Sequence, residues 1–261
     1  MNFPLGHRSV EKRPNVRKEV YRLKRDPLEA WFRIMECERH SFLSTDISRY
    51  RDAYLLYFLS MRRFLANMSI VARYMSSAHY ARKYRIAYTP RQRKIADKYC
   101  EIAPYTELEI VNCIIHARIL LDRVAALSSR FLRSGNRPSF KSFSDHKKFF
   151  TKLTAPYGEH DQYAEYIRTK TDWFEMPLKA VRDNFVVHSA PKHMRSVVLP
   201  NNFEVQLLIL KAEGSQEKPL SQSTPIILSP LRMSRDIEEF LSWFCSYAIN
   251  NSPKTVGHQN I

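Results

Sequence analysis

Apolar residues recur at alternating steps of three and four through Ile47, Tyr50, Tyr54, Tyr57, Met61, Phe64, Met68, Val71 and Met75, the period of one helix face. Asp46 stands just before them as a good N-cap. The spacing predicts a long helix with a continuous apolar seam, whose rings and thioethers read as core packing rather than a cofactor box. Ile110, Ile114, Ala117, Leu121, Val124, Ser128 and Phe131 repeat the pattern. They predict a second long helix from 105 to about 133, closed by Gly135 and Pro138 and antiparallel to the first.

Shorter elements flank this pair. Pro27 suits a first helical position, and Trp31, Ile34, Met35 and Glu38 predict an amphipathic helix from 27 to about 42. Two helical pieces are expected around Phe149 and Tyr166, divided by Pro156 and Gly158. Phe174, Leu178, Val181 and Phe185 then mark an apolar face that ends before Pro191. Residues 203–210 and 225–228 are short β-prone runs around a polar loop, a hairpin pattern. Ser234 reads as the N-cap of a last helix over 235–249, with Ile237, Phe240, Leu241, Phe244 and Cys245 inward. The expected fold is mainly α, a helical bundle with two long antiparallel helices plus a small β-hairpin near the C-terminus. Its divisions are a basic arm over 1–25, a helical domain over 26–200, the hairpin and last helix over 201–250 on the same domain, and a tail over 251–261.

Composition narrows the chemistry. A 261-residue chain with 44% hydrophobic residues can bury a full core, and five glycines against fourteen prolines argue against a Rossmann-type sheet. A glycine-rich phosphate loop is absent from the sequence. Cys37, Cys100, Cys113 and Cys245 lack zinc-knuckle spacing and read as reduced core thiols. The histidines lack the i, i+4 pairing with acids of a metal helix, so no metal and no cofactor is expected. No apolar run approaches the roughly 20 residues that span a bilayer, and the first residues lack a signal-peptide core, so a cytoplasmic location without a membrane partner is expected.

Charge changes the picture most. Forty-two basic against twenty-six acidic residues give a formal +16, a field that attracts polyanions. Within residues 80–99, Arg82, Lys83, Arg85, Arg91, Arg93, Lys94 and Lys98 alternate with Tyr80, Tyr84, Tyr88 and Tyr99. Cations suit phosphates and rings suit bases, which makes the first six of these cations candidate nucleic-acid contacts. The other reading is two short helices with solvated cations and inward tyrosines. Farther on, Arg118 and Asp122 interrupt an apolar stripe. They are either an ordinary pair four apart on a helix, or a carboxylate turned inward to orient a cation from another helix.

Arg182 and His188 close the amphipathic segment. A permanent planar cation and a side chain that exchanges protons near neutrality could together support metal-free phosphodiester chemistry. Six residues of regular helix separate them by about 9 Å along the axis and about 120° around it. A shared site therefore requires a distorted helix end or a second copy of the chain. The run Arg182-Asp183-Asn184-Phe185-Val186-Val187-His188 resembles the Arg-x(4–6)-His motif of the HEPN superfamily. Asp183 matches the polar residue that often follows the family's arginine. The resemblance implies a helical bundle, a homodimer that juxtaposes two motifs, and often metal-independent endoribonuclease activity in toxin–antitoxin or other antiviral defence, with RNA as substrate and an antitoxin as a further partner. Arg182 and His188 would then be the catalytic pair with Asp183, supported by Asp122 and Asn184. A non-catalytic nucleic-acid-binding or regulatory module of the same fold is the alternative.

Overall fold

The computed structural model describes residues 15–37, 44–128, 140–151, 161–175, 178, 194–199, 204–209, 212–213, 216–217 and 226–251, with backbone alone for the strands. Helices dominate. In chain order they are α1 (Val16–Leu23), α2 (Glu29–Cys37), α3 (Ser44–Tyr84), α4 (Pro90–Ser128), α5 (Phe143–Thr151), α6 (Asp161–Lys170) and α7 (Pro230–Asn251). A 3-10 turn, Asp172–Phe174, follows α6.

Helices α3 and α4 form the frame. Ser60 shares a 2.6 Å hydrogen bond with His116, Arg63 lies 4.0 Å from Glu109, and Tyr74 stacks on Tyr99 at 4.0 Å between ring centroids. Numbers rise on one helix as they fall on the other, so the pair is antiparallel. The predicted seam from Ile47 to Val71 is buried, as are Ile110, Ile114, Ala117, Leu121 and Val124. Met75, the last expected member, is exposed.

Several helix boundaries differ from expectation. α4 begins at Pro90 rather than near residue 105, and it continues past Pro104. Proline removes the amide that would bond the carbonyl of Cys100. Pro104 is exposed while Ile102 and Thr106 beside it are buried, so packing on both sides carries the helix across the missing bond. α7 begins at Pro230, not after Ser234, because Ser229 is the cap: its hydroxyl accepts from the Arg232 amide at 3.3 Å, with proline at the first helical position. Ser234 is instead buried inside α7 and accepts from Arg22 at 3.2 Å.

Residues 16–23, expected within a basic arm, form α1. Its Glu19 is buried and accepts from Arg22 (3.0 Å) and from Arg235 of α7 (2.8 Å), while Arg22 also pairs with Glu238. Burial alone would raise the Glu19 carboxyl, but hydrogen bonds and charge from Arg235, then from Arg22, hold it below the usual value. α2 starts at Glu29, not at Pro27, which lies in the preceding turn where Asp26 accepts from the Leu28 amide at 2.9 Å. Trp31 and Met35 face the core, and Ile34 is exposed.

The core is rich in rings. Trp31 meets Phe244 edge-on at 5.9 Å, Tyr166 stacks on Trp243 at 3.7 Å, and Phe143 meets both Phe174 and Phe240. Among them His146 is fully buried, shares a 2.8 Å hydrogen bond with Tyr163 and touches Phe140, Phe143 and Phe150. Cys113 and Cys245 are buried thiols, but Cys100 is exposed, contrary to the expectation of core cysteines.

The backbone of Met194–Leu199 (β1), Glu204–Ile209 (β2) and Ile226–Leu228 (β3) pairs as an antiparallel sheet in the order β1-β2-β3. The expected strands over 203–210 and 225–228 are its centre and one edge, with Val205 opposite Leu228. Among the described residues, no helix is long and apolar enough to cross a membrane, and no group of three or more His, Cys, Asp or Glu is gathered to hold a metal ion.

Candidate nucleic-acid interface

The elbow between α3 and α4 gathers the six sequence-predicted cations. α3 ends in a Schellman motif: the Ile86 amide donates to the Ala81 carbonyl at 3.1 Å and the Arg85 amide to the Arg82 carbonyl at 3.4 Å. Arg85 carries the left-handed turn, with φ of 52°. Glycine is the usual occupant there because it lacks the Cβ that clashes, and another residue costs on the order of 1 kcal/mol.

Four residues after Arg85, Thr89-Pro90-Arg91-Gln92 forms a reciprocal capping box. The Gln92 amide donates to the Thr89 hydroxyl (3.3 Å) and the Thr89 amide to the Gln92 side chain (2.8 Å). Acidic residues, favoured in a first helical turn, are absent from that of α4. Arg91, Arg93 and Lys94 stand at that positive helix end instead.

Arg82, Lys83, Arg85, Arg91, Arg93 and Lys94 are all exposed. None has a carboxylate partner among the described residues. By contrast Arg51 pairs with Glu29 and Glu36, and Lys98 with Glu101 at 2.8 Å. The two tyrosine readings divide by position. Tyr80 and Tyr84, one turn apart, leave 51% and 53% of their surface open, with ring centroids 4.6 Å apart and the Lys83 ammonium 5.3 Å from the Tyr84 ring. Tyr99 instead stacks on Tyr74 between the helices, and Tyr88 is half-buried.

Arg91 and Lys94 also line a groove of about 280 Å³ with Ile70 and Arg73 of α3 and Ile95 and Lys98 of α4. Arg73 is missing from the sequence-based candidates, since its approach to Arg91 follows only from the helix register. The signal that could have found it is the seam itself: Val71 turns inward, which leaves Arg73 outward.

Asp122, half-buried on α4, has two described partners. It pairs with Arg118 at 3.4 Å and accepts from the Phe143 amide, the first of α5, at 2.7 Å, while the Ser142 hydroxyl caps that helix by accepting from the Asp145 amide at 3.1 Å. Arg118 is buried, and its guanidinium lies 4.4 Å over the Phe174 ring. The pair four apart is present, but on an interior face. Nearby, the buried Lys147 ammonium donates to the Thr171 carbonyl (2.9 Å) and the Asp172 carboxylate (3.1 Å). Phe174 and Leu178, which open the amphipathic segment, are fully buried. The predicted residues Arg182, Asp183, Asn184 and His188 lie outside the described residues.

No family model, no curated protein and no solved structure matches this chain.

Proposed function

We propose that this chain binds RNA at the α3–α4 elbow, with backbone phosphates on Arg82, Lys83, Arg85, Arg91, Arg93 and Lys94 and unstacked bases against Tyr80 and Tyr84. The carrying observation is six exposed cations without a described carboxylate partner beside two open rings. A solvated surface kept for solubility would interleave both signs of charge. The rings favour single strands and loops, whose base faces are free to stack. Six phosphate contacts on a single strand give a log–log salt slope near −4. Gel-shift titrations of single-stranded RNA at several salt concentrations measure it. Arg91→Gln with Arg93→Gln should reduce the slope by roughly 1.4. A slope near zero, or one unchanged in the double variant, rejects the interface.

Cleavage is the second reading, favoured by the resemblance of Arg182 to His188 to the HEPN motif. On that reading the ribose 2′-oxygen attacks phosphorus in line and the 5′-oxygen leaves, forming a 2′,3′-cyclic phosphate. Arg182 balances the charge on the phosphorane-like transition state, His188 moves protons, and Asp183, Asn184 and Asp122 support them. A homodimer would bring two motifs together, in a defence or toxin role with an antitoxin as counterpart. Labelled RNA incubated in EDTA should yield cyclic ends with the native chain and none with Arg182→Ala or His188→Ala. Salt-sensitive binding without cleavage by the native chain selects the non-catalytic module.

A further inference from the structure

We infer that the groove between Ile70 and Arg73 of α3 and Arg91, Lys94, Ile95 and Lys98 of α4 is a seat for a phosphate monoester carried by a nucleoside, the 5′-terminal nucleotide of an RNA strand. The inference rests on the RNA-binding reading and specifies which part of the strand the groove takes.

Three observations lead to it. The first is size: about 280 Å³ lies just under the roughly 300–1,000 Å³ of pockets that enclose whole cofactor-sized ligands. One nucleotide, rather than a dinucleotide cofactor, is the matching unit.

The second is lining. Arg91, Lys94, Ile95 and Lys98 fall at steps of three, four and seven and so share one stripe of α4. Ile70 and Arg73 answer from α3. Two branched apolar side chains among four cations suit a body with a flat apolar part and a charged end. No carboxylate lines the groove.

The third observation is charge, which decides between the two kinds of RNA phosphate. Four cations less the single carboxylate that pairs with Lys98, Glu101, leave three positive charges. An internal phosphodiester brings one negative charge. A terminal monoester brings nearly two at neutral pH, together with three acceptor oxygens for the forks of Arg73 and Arg91. Arg73 is already oriented, donating to the Ser69 carbonyl (3.2 Å) and hydroxyl (3.0 Å). Tyr80, Arg82, Lys83, Tyr84 and Arg85 lie seven to twelve residues beyond Arg73, at and just past the end of α3, about 10–18 Å of helix. An end seated in the groove therefore leads its strand toward the rings.

The test uses the full chain and one single-stranded RNA made with a 5′-phosphate or a 5′-hydroxyl, followed by fluorescence anisotropy at fixed salt. An additional charge within contact distance of several cations is worth at least about tenfold in affinity. The 5′-phosphate strand should bind that much tighter. Arg91→Gln with Lys94→Gln should erase the preference with the circular dichroism spectrum unchanged, whereas Tyr80→Ala with Tyr84→Ala should weaken both strands and keep it. Equal binding of the two strands overturns the inference and leaves the RNA-binding reading standing. A nucleoside 5′-monophosphate supplies a second arm. If no RNA binds but this nucleotide saturates a site lost in the groove variant, the monoester seat is upheld with a free nucleotide as occupant and the RNA reading fails. If neither binds, both fail.

Discussion

His146 illustrates how a single residue records its surroundings. Desolvation among Phe140, Phe143, Phe150 and Tyr163 pushes its imidazole down to about 3, so the folded chain holds it neutral. An unfolded histidine titrates near 6.5. Between those values the unfolded chain binds the extra proton, so stability is full above 6.5 and falls as the medium is acidified, by about 1.4 kcal/mol per pH unit. His116, also lowered by burial, adds in the same direction. Urea unfolding at pH 7 and pH 5 should give a loss about 2 kcal/mol smaller in His146→Gln than in the native chain. Equal losses would place the acid sensitivity elsewhere. The position was legible in the sequence only as an unpaired histidine; its burial depends on rings drawn from α5, α6 and the segment before α5.

At the scale of elements, period was readable and punctuation was not. The seam from Ile47 to Val71 marked α3 because each member meets the core. The end of α3 escaped detection because its C′ position holds Arg85 where glycine would have signalled a stop. The start of α4 also escaped, since the period of Ile110 to Val124 does not reach back to Pro90 across Pro104. Within the candidate interface, the run of six cations was legible from composition, whereas the groove needed the register that brings Arg73 to Arg91. Arg85 also yields a prediction with two signs. Arg85→Gly relieves the left-handed strain and should stabilise the chain by about 0.5–1 kcal/mol. On the proposed interface it should also weaken RNA binding. Thermal denaturation and the same anisotropy titration measure the two effects, and a stability unchanged or reduced would remove strain at this position as a cost.

Across the whole molecule, α1 and α7 are fastened together. Glu19, Arg22, Arg235 and Glu238 join positions 216 residues apart, a partnership no local pattern could disclose, which is why residues 16–23 read as an arm. Glu19→Gln leaves Arg22 and Arg235 without their shared anion and should cost about 1–3 kcal/mol at pH 7. Because the native carboxyl sits below its ordinary value, the gap between native and variant stability should be widest above pH 4.5. It should close as acid protonates Glu19 in the fold. Denaturant titrations from pH 7 to pH 3 test this, and a constant gap would mean that charge is not its source.

That clasp also bears on the order in which the molecule is made. Trp31 packs against Phe244, and Tyr163 against Trp243, Phe244 and Tyr247, so α1, α2 and α6 leave the ribosome before the surface that covers them exists. Until α7 emerges, the nascent chain exposes an aromatic face alongside a strongly basic elbow. Contacts this distant in sequence form late and slowly. Before α7 docks, the protein is therefore both sticky and strongly basic, and that contact ends the exposure.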